Sequence, residues 1–402
     1  MAKRPGSVSQ HRYSFREWML THQIGLSLTL IATLLSIHSL YPSLQPYTAP
    51  FFQLSYYNAV QNTYRPGGKD ISLVVSAALV LTAVRAVAIE WILQPLARRV
   101  GLKTKAALRV AEQGWACIYY MIFWPCGMYL WSSSSYWADY STLWTDWPAR
   151  DMSGRMKLYL LVQLGLWIQQ ILVIHIEQRR KDHYQMLIHH LITCALLGSA
   201  YTYGFYNVSN VVLCLMDIID LLLPAAKVLK YLHFEKSCTL AFGTMLLVWL
   251  VTRHIFFPQL CWSIYKDVPT HMPYACYSGA TGEILLGYPE GYPSSRDTWA
   301  TYLLYLYPFQ DLDGPICMNA SIKWAFIASL VALQALSLVW FGMVVRVAMR
   351  VLRTGVAEDT RSDDEESRSH GAGATGFDPS VVRRVRDPKA LLGRIGCEKP
   401  TS

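Results

Sequence analysis

The sequence predicts an all-α, polytopic membrane protein with about eight transmembrane helices, and three observations carry that expectation. Of its 402 residues, 53% are hydrophobic and 16% charged, where soluble domains run near a quarter charged. Eight apolar runs approach the roughly 20 residues that a helix needs to cross a bilayer. Arg and Lys gather in every second gap between those runs, the asymmetry that marks cytosolic loops. The 14 Trp and 25 Tyr suit the same class, because amphipathic rings collect where bilayer meets water.

Residues 1–19 form a basic, polar segment expected in the cytosol. Its charged stretch, MAKRPGSVSQHRYSFREW, is longer than that of a signal peptide and has no small-residue cleavage site, so the first run, 20–41, is expected to stay as an anchor. With the second run, 71–94, it makes a pair of spans covering 20–94 and joined on the non-cytosolic side. A basic segment from Arg98 to Arg109 leads into a membrane core at 110–350. Its runs are 114–132, 157–176, 185–204, 209–229, 237–257 and 322–349. Arg179, Arg180 and Lys181, then Lys227 to Lys236, then Arg346 to Arg353 mark the cytosolic ends, which puts both termini in the cytosol.

The long non-cytosolic segment, 258–321, holds Cys261, Cys276 and Cys317. In an oxidising lumen two of the three pair; otherwise all three are free thiols. Within it TWATYLLYLYPF is too short to span and is expected to be interfacial or re-entrant. The sequons at Asn207 and Asn319 lie too close to a span for a glycosyltransferase, and neither is expected to carry a glycan. From 354 to 402 the chain turns polar and poor in aromatics and is expected to be a disordered cytosolic tail. There Ser362, three residues before Glu365, is either a phosphosite or part of a solvated acidic run.

Composition also excludes. The net charge of +9 is spread over short segments and forms no dense basic face with interleaved aromatics, so no nucleic-acid partner is expected. The nine Cys lack the short spacings of zinc or redox sites.

The fifth and sixth runs carry four ionisable groups, His189, His190, Asp217 and Asp220. Such groups cost a few kcal/mol within a span and usually line a cavity or a partner helix. Counted from a cytosolic start near Tyr184, His189 and His190 lie about 8 to 9 Å deep; counted back from Leu229, Asp220 lies about 13 Å and Asp217 about 18 Å deep. The two constellations can therefore share one chamber nearer the cytosol. Spacing puts Asp217 and Asp220 on one face and gives the His pair a hydroxyl neighbour in Thr193. Pro224, inside the sixth run, frees the carbonyl of Asp220 and predicts a kink or polar notch. An imidazole can act as base or nucleophile while a carboxylate orients it, which suits acyl transfer. The same groups could bind a metal, but adjacent His diverge by about 100° and reach one ion poorly. A proton-coupled transporter would show an internal repeat, and none is visible. Arg85 and Glu90 on the second run stack poorly and are read as structural.

The stretch RRKDHYQMLIHHLIT…LMDIIDLLLPAAKVLKYL resembles the signature of the TLC-domain ceramide synthases, and FFQLSYYN, AEQGWACIYYMIFWPCGMYLWSSSSYW, LWTDWP, LWIQQILVIHIEQRRKDHYQM and RSDDE resemble its fungal branch. The resemblance covers about residues 50–367. It implies a bundle in which six helices enclose a tunnel open to the cytosol, and transfer of a fatty acyl group from acyl-CoA to the amine of a sphingoid base in the endoplasmic reticulum membrane. It assigns catalysis to His189, His190, Asp217 and Asp220, with no metal or organic cofactor and acyl-CoA as co-substrate. Arg179, Arg180, Lys181 and Lys227 are candidates for the coenzyme A phosphates, unless they serve topology alone. Expected partners are fatty acyl-CoA, a sphingoid base and membrane lipids, together with a small regulatory membrane subunit or a homo- or hetero-dimer. The rival within the family is a non-catalytic lipid-binding, sensing or translocation-associated protein, which could lose the His pair or the acids. The turn YTYGFYNVSN departs from the fungal pattern, which tends to have His, Arg and Gly at the positions of Gly204, Asn207 and Ser209.

Overall fold

A computed structural model of the chain describes residues 15–145, 147–148, 150–176, 182–279, 281–285, 308–311 and 314–354. The cluster Arg179, Arg180 and Lys181, positions 298–307 of TWATYLLYLYPF, and Ser362 lie outside them. The chain divides into two units, 1–342 and 343–402; the described part of the second is the end of one helix.

Among the described residues, eight long helices follow the eight apolar runs. They are α1 (Phe15–Leu40), α2 (Asp70–Val87, continued by a π-helical turn, Ala88–Leu93, into Gln94–Arg99), α3 (Thr104–Ser132) and α4 (Gly154–Ile176). Then come α5 (His183–Thr202), α6 (Tyr206–Tyr231), α7 (Glu235–Val251, a π-helical turn at Thr252–Phe256, then Phe257–Lys266) and α8 (Ala320–Thr354). The protein is thus an all-α membrane protein. Five of the helices, α1, α2, α4, α7 and α8, are long and apolar enough to cross a bilayer by length and composition.

Two boundaries differ from the expected ones. The third helix begins ten residues early, at Thr104, because TKAALRVAEQ is a good helix former despite its charges. The seventh continues beyond 257 to Lys266 through its π turn, so residues expected near its end lie in its interior. Pro224 sits inside α6 without ending it.

Three helices stop in the same way. Past α2, α5 and α6, the residues Gly101, Gly204 and His233 take left-handed φ angles of 95°, 79° and 61°. The next residue's N–H then returns to the carbonyl five positions back: Leu102 to Ala97, Phe205 to Ala200 and Phe234 to Leu229. This arrangement satisfies carbonyls that a helix end leaves open.

On the side where α2 and α4 begin, a short hairpin of β1 (Tyr57–Asn58) and β2 (Thr63–Tyr64) packs beside a buried ion pair. Lys157 of α4 is fully buried and its Nζ meets Asp70 Oδ1 at 2.7 Å. The same Nζ donates to the carbonyls of Ser55 and Arg65 at 2.9 and 2.7 Å. Asp70 Oδ2 accepts from Tyr201 Oη at 2.7 Å and from the Gly67 N–H at 2.8 Å. All three ammonium protons are engaged, which is what makes a buried pair tolerable. Cys276 and Cys317 are joined in a disulfide across β3 (Cys276–Tyr277) and β4 (Ile316–Cys317), while Cys261 is free. Asn319 Oδ1 accepts the N–H of Ile322 and so caps α8.

Candidate active site

The polar groups of the fifth and sixth spans meet α4, α7 and α8 around one cavity. The space between them, part of it open to solvent, amounts to about 990 Å³. His189 of α5, Asp220 of α6, Arg253 of α7, and Ser337 and Trp340 of α8 line it. The residues that α8 presents, from Lys323 through Phe326, Leu330, Leu333 and Ser337 to Trp340, step by three and four and so keep to one helix face. The rest of the wall is almost wholly apolar.

The imidazoles are held by aromatic edges. The Trp167 ring lies 5.6 Å from His189 and 5.3 Å from His190, and the two imidazoles are perpendicular at 5.4 Å. Trp340 closes on His189 at 5.3 Å. His190 is buried, and its Nδ1 lies 2.6 Å from the Met186 carbonyl. That bond places the proton on Nδ1 and leaves Nε2 as the basic nitrogen. His189 has a buried Nδ1 without a hydrogen-bond partner among the described residues, so no such bond selects its tautomer.

The two carboxylates take different roles. Asp217 is fully buried and turns toward α4, where Gln163 Nε2 donates to its Oδ2 at 2.8 Å. Gln163 in turn accepts from Tyr119 Oη at 3.1 Å, a chain that ties α3, α4 and α6. The other oxygen of Asp217 has no partner among the described residues. Asp220 is about one-third exposed and faces Arg253, whose Nη2 lies 3.7 Å from Oδ1. Arg253 also donates to the Met216 carbonyl at 2.8 Å and stacks 4.8 Å over Trp249. So Asp217 and Asp220 share a helix face, but one belongs to the packed interior and the other to the cavity. Neither is hydrogen-bonded to His189. Lys227, seven residues beyond Asp220, is half-buried in the last turns of α6.

The structure thus brings His189 and Asp220 to one cavity and sets His190 and Asp217 behind them. Sequence reasoning missed Arg253 and Gln163. The signal for Arg253 was present, a cation inside the seventh apolar run. Gln163 carries no charge and gave none. Among the described residues no three His, Cys, Asp or Glu side chains cluster as a metal site requires.

Comparison with known proteins finds a match to the TLC domain over residues 109–346. A sphingosine N-acyltransferase-like protein of Alternaria alternata is 41% identical over 92% of this chain and 83% of its own length. A ceramide synthase of Gibberella moniliformis is 37% identical over 89% and 83% of the two chains, and a sphingosine N-acyltransferase of Schizosaccharomyces pombe is 36% identical over 87% and 80%.

Proposed function

The chain belongs to the TLC-domain family, and from that membership we propose that it is a ceramide synthase, an enzyme that moves a fatty acyl group from acyl-CoA to the amine of a sphingoid base. The names of its relatives support the activity. The observation that carries it is the cavity: an imidazole stands at the end of a long apolar slot, where a thioester would sit with its hydrocarbon chain out of water.

His189 is the imidazole best suited to the chemistry, because it lines the cavity and His190 does not. Acting as base, it takes a proton from the sphingoid nitrogen as that nitrogen bonds to the thioester carbon; the C–S bond then breaks and the proton passes to the departing thiolate. Acting as nucleophile, it first forms an acyl-imidazole with loss of the thiol, which the amine then opens. In both routes negative charge develops on the carbonyl oxygen, and the Arg253 guanidinium stands on the same wall. Its buried Nε has no partner among the described residues. Trp167 and His190 hold the working ring by packing, and Asp220 holds Arg253. No metal or organic cofactor enters the scheme. Arg179, Arg180, Lys181 and Lys227 remain candidates for the coenzyme A phosphates; the basic segments fit cytosolic termini, and the resemblance to ceramide synthases fits an endoplasmic reticulum membrane.

The test is turnover by purified protein given labelled acyl-CoA and dihydrosphingosine. His189→Ala is expected to lower formation of the N-acyl product by about 10²- to 10⁴-fold, the range of an acid–base group, with the protein still folded. Unchanged turnover in that variant would overturn the mechanism.

A further inference from the structure

The cavity that has His189, Asp220 and Arg253 at one end has a further charged group, Lys323 in the first turn of α8, at the other. Lys323 is only 7% exposed. Its Nζ lies 5.3 Å from the Tyr265 ring and 5.5 Å from the Trp324 ring. Among the described residues it has no carboxylate beside it. Between the two ends the α8 face offers only Phe326, Leu330 and Leu333. A cation held by aromatic faces gains modestly from them. It loses further hydration if a methyl group is pressed against it, whereas a hydroxyl or carboxylate would give it a hydrogen bond.

We propose that Lys323 is a specificity-determining residue that closes the acyl slot, limiting unsubstituted chains and favouring a chain of matching length that ends in a polar group. The proposal rests on the acyltransferase reading above. The distance from Ser337 or Trp340 to Lys323 along α8 is about 21 to 25 Å. An all-trans chain advances about 1.2 Å per bond, as an extended backbone does, so an acyl chain of roughly 18 to 22 carbons fills the slot. A longer chain has to displace the ammonium or leave methylenes outside.

The experiment is competition among saturated acyl-CoA esters of graded length, with an ω-hydroxyoctadecanoyl-CoA arm, read by mass spectrometry of the N-acyl products. The proteins compared are wild type, Lys323→Met and Lys323→Arg. The wild type is expected to peak within the range above and to use the ω-hydroxy chain. K323M is expected to shift toward longer chains, gaining about tenfold for each two extra methylenes it can bury, and to lose its preference for the ω-hydroxy chain. K323R, longer and still charged, shifts the optimum to shorter chains, and it carries the test should K323M fail to fold. An active wild type whose length profile neither substitution moves overturns this proposal alone. A wild type that transfers no acyl group overturns the acyltransferase reading and this proposal with it.

Discussion

Replacing Lys157 by Met removes one half of the buried pair with Asp70 and should be rescued in part by removing the other half. Lys157 and Asp70 are 0% and 4% exposed, so solvent screens neither. Stripping one partner from such a pair costs about 3–5 kcal/mol, because the remaining charge stays buried. In K157M the carbonyls of Ser55 and Arg65 also lose their donor, at about 1–3 kcal/mol each. Adding Asp70→Asn removes the stranded carboxylate and keeps an oxygen for Tyr201 and Gly67, so the double variant bears only the loss at the carbonyls. The melting temperature in detergent should therefore fall in the order wild type, double variant, single K157M. The measurement is the monodisperse fraction left after heating, read by size-exclusion chromatography. A double variant that melts below K157M refutes the reasoning, since independent losses would simply add.

Four further outcomes follow from the structure. Arg253→Lys keeps a charge but loses the guanidinium, whose Nη2 meets both Met216 and Asp220 and whose Nε is a further donor at the cavity; turnover should drop about tenfold or more in a folded protein, and undiminished turnover removes Arg253 from the mechanism. Cys317→Ser opens a link across 41 residues and should cost about 4 kcal/mol by the chain-entropy relation; wild-type protein denatured without reductant should bind two fewer maleimides than after reduction. Gly165→Ala places a Cβ 2.9 Å from Ala77 Cβ and 3.0 Å from the Val74 carbonyl, forcing α2 and α4 apart and lowering the melting temperature. Gly198→Ala meets nothing within 4 Å and should be neutral or stabilising.

The helices were legible because each is written locally, as an apolar run with punctuation at its ends. His189 and Asp220 were legible because a charge inside such a run stands out. The pairings were not legible, since they join distant parts of the chain. Lys157 opens the fourth apolar run and Asp70 immediately precedes the second, so both look like ordinary interfacial charges; only folding reveals that they neutralise each other. Lys323 was obscured in the same way at the start of the eighth run. Arg253 lies four residues before the expected end of the seventh run, where a cation reads as interfacial; the helix goes on to Lys266, which puts it well inside. Asp217 and Asp220 share a face by spacing, but which neighbour each one meets depends on the helices around them. Gln163 on one side and Arg253 on the other divide their roles.

The left-handed turn at Gly204 has a consequence for insertions and deletions. Only Tyr203, Gly204 and Phe205 separate α5 from α6, so neither helix can slide along the other. His189 stands about 20 Å before the turn and Asp220 about 20 Å after it. The tether therefore works as a ruler with two equal arms. One residue gained or lost in either arm would shift its group by about 1.5 Å and swing it by about 100°, taking it off the cavity. A length change beyond His233 would leave both arms intact. Length variation among functional relatives should accordingly be absent from 190–219.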